Sequence, residues 1–135
     1  AFEFVENVWG LRHIEKTPVD LYRIDSSRET GVTVSGPMNA SGTLKYAAQF
    51  GNDSGNNAET DKRKGFRLAA RYETDPGFSV EGMFARSDRA SDADRTTGQI
   101  FGAFRGARGR AGAQYVRQTR RAADGSTAPD LELDV

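Results

Sequence analysis

The stretch GFRLAARYETDPGFSVEGMFAR, residues 65–86, decides the fold. Read in steps of two, Phe66, Leu68, Ala70 and Tyr72 fall on one side, and Arg67, Ala69, Arg71 and Glu73 on the other. A half-buried β-strand imposes that period, because successive side chains leave it on opposite faces. Phe78, Val80, Gly82 and Phe84 repeat the pattern against Ser79, Glu81 and Met83. Between the runs stands Asp75-Pro76-Gly77, where proline presets the first central dihedral and glycine accepts a positive φ. Helix is the competing reading, since alanine and arginine favour it. Apolar residues two apart would then scatter round the cylinder, so strand is expected.

The same alternation extends outward. In Thr43 to Phe50, Leu44, Tyr46, Ala48 and Phe50 face away from Thr43, Lys45, Ala47 and Gln49. Two weaker strands follow. Ile100, Gly102 and Phe104 alternate with Gln99, Phe101, Ala103 and Arg105, without a clean polar side. Ala111, Ala113 and Tyr115 alternate with Arg110, Gly112 and Gln114, and a further strand is expected at about Thr30 to Ser35. The links have a rhythm. Gly36 to Gly42 is intermediate; Asp75 to Gly77 and Gly106 to Gly109 are short; Gly51 to Gly65, Ser87 to Arg95 and Arg120 to Pro129 are long. An up-and-down meander with its long loops on one rim produces this asymmetry, as transmembrane β-barrels do.

The expectation is an all-β chain, an antiparallel meander closing into a small barrel of about six to eight strands. Residues 1–135 then form one domain. Within it, residues 1–28 are read either as a strand pair or as a loop folded inward against the polar face. Phe66 and Tyr72 lie six residues apart on one side, as do Phe78 and Phe84, with Ala70 and Gly82 between them. Six steps span about 20 Å at about 3.4 Å each. Two aromatic girdles flanking an apolar band have this form, and so do ordinary core aromatics at strand ends.

Composition removes several function classes. The 135 residues carry 19 Lys and Arg against 19 Asp and Glu, so no global field steers nucleic acid or an anionic surface. The basic run Arg117-Gln118-Thr119-Arg120-Arg121 is weak evidence for RNA under that balance, and no nucleic-acid partner is expected. With no cysteine, disulfides and thiolate metal sites are excluded. No apolar run approaches the roughly 18 residues of a spanning helix. Ala1-Phe2-Glu3-Phe4 does not open like a signal peptide, so any export signal is expected outside this sequence.

No catalytic or metal constellation stands out, and neither enzyme activity nor a cofactor is expected. His13 is the single histidine and sits among Arg12, Glu15 and Lys16. Asn52, Asp53, Asn56, Asn57, Glu59 and Asp61 carry oxygen ligands but lack the calcium-loop spacing, and Asp88, Asp92 and Asp94 read as solvated loop. Glu73 and Glu81 flank the 75–77 turn as the carboxylate pair of a glycosidase would, or as rim residues paired with Arg67 or Arg71. The glycines of 102–112 suit a hairpin rather than a phosphate loop. The candidate binding set is Lys45, Arg67, Arg71, Glu73, Glu81, Arg105 and Arg110 on the polar faces, an array suited to an aqueous lumen that attracts anions.

Several segments resemble the porins of Gram-negative outer membranes, in particular the large monomeric type. They are Phe4-Val5-Glu6, Trp9-Gly10-Leu11-Arg12, 26–32, 44–52, the 65–86 unit and the 106–117 hairpin. The resemblance implies a parent protein in the bacterial outer membrane that passes small solutes by diffusion, with lipid or detergent as its partner. It leaves open whether the isolated chain is soluble or self-associates. This sequence departs from such porins in strand number, since 135 residues allow at most about eight strands. Leu131-Glu132-Leu133-Asp134-Val135 also alternates like the start of a strand without a terminal aromatic, so a porin-derived segment is expected. The alternative is a soluble small barrel holding a small molecule in its apolar interior, or a hydrolase built on one.

Overall fold

The computed structural model describes Val5, residues 30–52, 64–75, 77–88 and 94–121, and the backbone of 127–134. Seven strands follow in chain order: β1 Gly31–Pro37, β2 Leu44–Gly51, β3 Gly65–Thr74, β4 Phe78–Ser87, β5 Asp94–Gly106, β6 Gly109–Arg121 and β7 Thr127–Asp134. Each pairs antiparallel with the next, giving one sheet in the order β1-β2-β3-β4-β5-β6-β7. The meander is therefore real, and the two strands with the weaker alternation, β5 and β6, are the longest, at 13 residues each.

The turns follow from their residues. Gly77 takes φ 106° and donates its N–H to the Thr74 carbonyl at 2.8 Å, while its own carbonyl accepts from Arg105 N at 2.9 Å. A Cβ there would run into the Arg105 carbonyl, so glycine is required on both counts. In the β1–β2 connection, Asn39 Oδ1 accepts from Leu44 N at 3.1 Å, and Gly42 takes φ 69°. That asparagine supplies the turn with a side-chain acceptor in place of a backbone one. Connections 38–43, 75–77 and 107–108 meet at one rim; 52–64, 88–93 and 122–126 leave from the other.

Among the described residues the expected closure does not occur: β1 and β7 are the two edge strands of the sheet. Parity supplies a reason. In a seven-stranded meander the first and last strands run the same way, so closure would need a parallel pair at the seam rather than another antiparallel one. Near the β7 edge the register shifts between Gln118 and Arg120. Pro129, which has no N–H to give a ladder, lies in the β7 stretch opposite that irregularity.

The two faces of the sheet differ in an unusual direction. Phe50, Phe66, Leu68, Phe84, Phe78, Phe104, Ile100 and Tyr115 share one face and are exposed. Phe50 pairs with Phe66, Leu68 with Phe84, Phe78 with Phe104 and Ile100 with Tyr115. Buried residues lie on the opposite, polar face. There Val5, helical in backbone, packs with Phe101 and Ala103 as a small core cluster. Beyond Val5, the expectation for residues 1–28 lies outside the described residues. Among the described residues no helix is long and apolar enough to cross a membrane, which leaves crossing by strands unaddressed.

Candidate functional site

Strand register places all seven candidate residues on the polar face. Lys45 pairs with Arg71 and Arg71 with Glu81, giving a charged row across β2, β3 and β4. Arg67 stands four residues from Arg71 on β3, Glu73 two residues away on its other side, and Arg105 faces Arg110 across the tight β5–β6 turn. Their environments diverge. Arg67 and Glu81 are only 4% and 3% exposed; Lys45, Arg71 and Glu73 are half-buried; Arg105 and Arg110 are exposed.

Glu73 ties the row together. Its Oε2 lies 2.6 Å from Lys45 Nζ and its Oε1 3.5 Å from Arg71 Nε. Both oxygens are thus engaged by cations. Two concavities open beside the row. One of about 480 Å³ is lined by Ser35, Pro37, Lys45, Arg71 and Glu81, and one of about 570 Å³ by Arg71, Glu73, Asp75, Ser79 and Arg105. Arg71 lines both.

Sequence reasoning missed the polar layer that continues across β5 and β6. Thr97, Gln99, Gln114 and Gln118 are buried, and Gln118 is 1% exposed. Gln118 donates from Nε2 to Thr97 Oγ1 and accepts from Arg120 Nε, each at 2.9 Å. Glu81 Oε1, Gln99 Oε1 and Gln114 Nε2 are buried and have no hydrogen-bond partner among the described residues. Leaving such a group unpaired in a dry interior costs about 1–3 kcal/mol. Three on one face give it open hydrogen-bonding capacity. The signal was present in the alternation of Gln99 and Gln114, but nothing in it distinguished buried from solvated.

Other candidates disperse. The run 117–121 is split by its strand, with Gln118 and Arg120 on the polar face and Arg117 on the apolar one. Asp88 accepts from Arg86 Nε at 3.2 Å. Among the described residues no three His, Asp or Glu side chains gather as a metal site. His13, the acidic residues of 53–61 and Asp92 lie outside the described residues. No protein-family model, curated protein or solved structure matches the chain.

Proposed function

We propose that the chain is a porin-like outer-membrane β-sheet, whose apolar face meets lipid while its polar face lines a path for passive diffusion of small solutes. One observation carries this reading: the sheet buries charge and amide groups and exposes aromatic and aliphatic ones. Arg67, Glu81 and Gln118 are at most 4% exposed, while Ile100 is 62%, Phe50 56% and Leu68 44% exposed. In water that arrangement forfeits about 25 cal/mol for each Å² of apolar surface left uncovered. Against hydrocarbon it is the stable one, and it is how the strands of a membrane barrel are patterned.

The aromatic placement agrees. Tyr72, Phe78 and Phe104 stand near the rim of short turns, and Phe50, Phe66 and Phe84 towards the rim of long connections, with the row Tyr46, Ala70, Gly82, Ile100 and Tyr115 between. Phenylalanines gathered towards both rims fit the two interfaces of a bilayer. Further strands added at the open edges of β1 and β7 complete the pore, and Lys45, Arg67, Arg71, Glu73, Glu81, Arg105 and Arg110 set its selectivity. A soluble barrel with an apolar interior would need the opposite sidedness.

Detergent dependence tests the reading. The chain should stay folded and monodisperse in micelles and aggregate when detergent is withdrawn, by size-exclusion chromatography and circular dichroism. A folded monomer in plain buffer would refute it.

A further inference from the structure

The two edge strands of the sheet are unlike. Along β7 the register shifts beside Gln118 and Arg120, and Pro129 interrupts the strand's donors. Asp130, Glu132 and Asp134 add like charge to the same strand. Irregularity, proline and charge all weigh against pairing at an edge. β1 is barer. Its sequence GVTVSGP holds no charged residue, and it pairs with β2 without a shift. Val32 and Val34 are 69% and 56% exposed on the apolar side, and Gly31, Thr33 and Ser35 are exposed on the polar side.

Register also decides which backbone groups of β1 are free. Met38 N donates to the Leu44 carbonyl at 2.7 Å, and Asn52 N to the Thr30 carbonyl at 3.1 Å. Bonded positions of an antiparallel pair recur at every second residue, so Val32, Val34 and Gly36 turn their bonds inward to β2. Gly31, Thr33 and Ser35 then direct both N–H and C=O outward, where no strand pairs with them among the described residues. Pro37 falls in the same outward series, so its missing donor costs the β1–β2 ladder nothing.

We infer that the β1 edge docks the β1 of a second copy of this chain, antiparallel and centred on Thr33. Thr33 then stands opposite its own counterpart, Gly31 opposite Ser35 of the second copy, and Val32 opposite Val34 of the second copy. Every outward residue from 31 to 35 meets another outward residue, so donors and acceptors match one for one without calling on Pro37. The threonines meet on the polar face, a favourable cross-strand pair. On the apolar face the valines cover part of each other's exposed surface. A twofold axis perpendicular to the sheet relates the copies, so each face continues across the join, and the contact closes at two copies because it consumes both β1 edges. The inference names a source for the strand that the reading above adds beside β1. It stands without that reading, since the edge is open whichever medium covers the faces.

The test measures the mass of the full chain by sedimentation equilibrium in density-matched micelles, or in buffer if the chain folds there, which separates its outcome from that of the detergent test. The parent protein should have twice the mass of one chain. Thr33→Pro removes an outward donor and no β1–β2 bond, and Thr33→Lys sets two like charges face to face. Each should halve that mass and leave the β spectrum unchanged. Because the chain has no cysteine, the register can be read directly. Val32→Cys mixed with Val34→Cys should cross-link on mild oxidation faster than either variant alone, whose sulfurs stand two residues out of register. A monomeric parent protein, a dimer that survives both Thr33 variants, or equal cross-linking in the mixture and the single variants would each overturn the dimer and leave the membrane reading standing.

Discussion

Leu68 and Arg67 are neighbours on β3, yet they live by opposite rules. Leu68 is 44% exposed and pairs with Phe84; Arg67 is 4% exposed and pairs with Ala85 and Gln49. In a water-soluble sheet the leucine would be covered and the arginine free. The same inversion repeats along β4 at Glu81 beside Gly82, and along β5 at Gln99 beside Ile100. The lesson is that alternation records only that two faces differ. Which face is covered, and by what, is a property of the assembled sheet and its surroundings.

The largest expected effect breaks this comparison at its apolar side. Leu68→Arg places a charge in the middle of the exposed face, where the space-filling constraint is slight. In an aqueous protein such a surface change stays within about 0.5 kcal/mol. Facing a bilayer midplane it should cost about 2–4 kcal/mol, read as a lower denaturation midpoint in vesicles. A neutral result in vesicles would mean that this face does not meet hydrocarbon.

The polar side is probed by Gln118→Met, which keeps the shape and removes the bonds to Thr97 and Arg120. If the buried layer is held by its own network, the loss should be about 1–2 kcal/mol, since Thr97 and Arg120 each lose a partner. Chemical denaturation of the variant measures it. An increase in stability would show that this face behaves as an ordinary apolar core, as replacement of buried polar groups sometimes does.

Arg105→Glu together with Arg110→Glu addresses function with little strain, because both residues are exposed and directly opposed on the polar face. Folding stability should change by less than about 0.5 kcal/mol. Conductance of the reconstituted parent channel should move from anion towards cation preference, because like-signed groups lining a lumen set its selectivity. An unchanged reversal potential in a conducting variant would remove these two residues from the lumen set.

How much of this was legible beforehand varies by strand. β3 and β4 were plain, because the large apolar residues Phe66, Leu68, Tyr72, Phe78, Val80 and Phe84 all keep the two-residue period, with Met83 the one large apolar exception, and the Asp75-Pro76-Gly77 turn fixes their pairing. β5 and β6 read as weak because Phe101 and Val116 lie on the polar face, where Phe101 packs with Val5, and Arg117 lies on the apolar one. Local pattern cannot record a contact with a residue some hundred positions away. Closure was misjudged for a different reason: it depends on strand parity and on edge partners, which no single segment contains. Membership of the polar face was readable for all seven candidate residues. The burial of Arg67 and Glu81 was not, since alternation looks the same whether the polar face is wet or covered.

The smallest effect concerns the ion pair between Lys45 and Glu73, 2.6 Å apart and half-exposed at both ends. Its lysine comes from β2 and its glutamate from β3, so it links neighbouring strands near the short-turn rim. Attraction between groups that solvent still reaches is screened, and holding two long side chains costs rotamer entropy, so such a pair is worth about 0.2–1 kcal/mol. Lys45→Met should therefore lower stability by no more than that, and raised salt should erase most of the difference between variant and parent. Arg71 remains beside Glu73 at 3.5 Å and keeps that carboxylate paired, which further limits the loss. A denaturation difference well above 1 kcal/mol, insensitive to salt, would place the pair in a low-dielectric setting. The polar face would then be sealed from water at this rim, and its route for solutes would have to lie elsewhere.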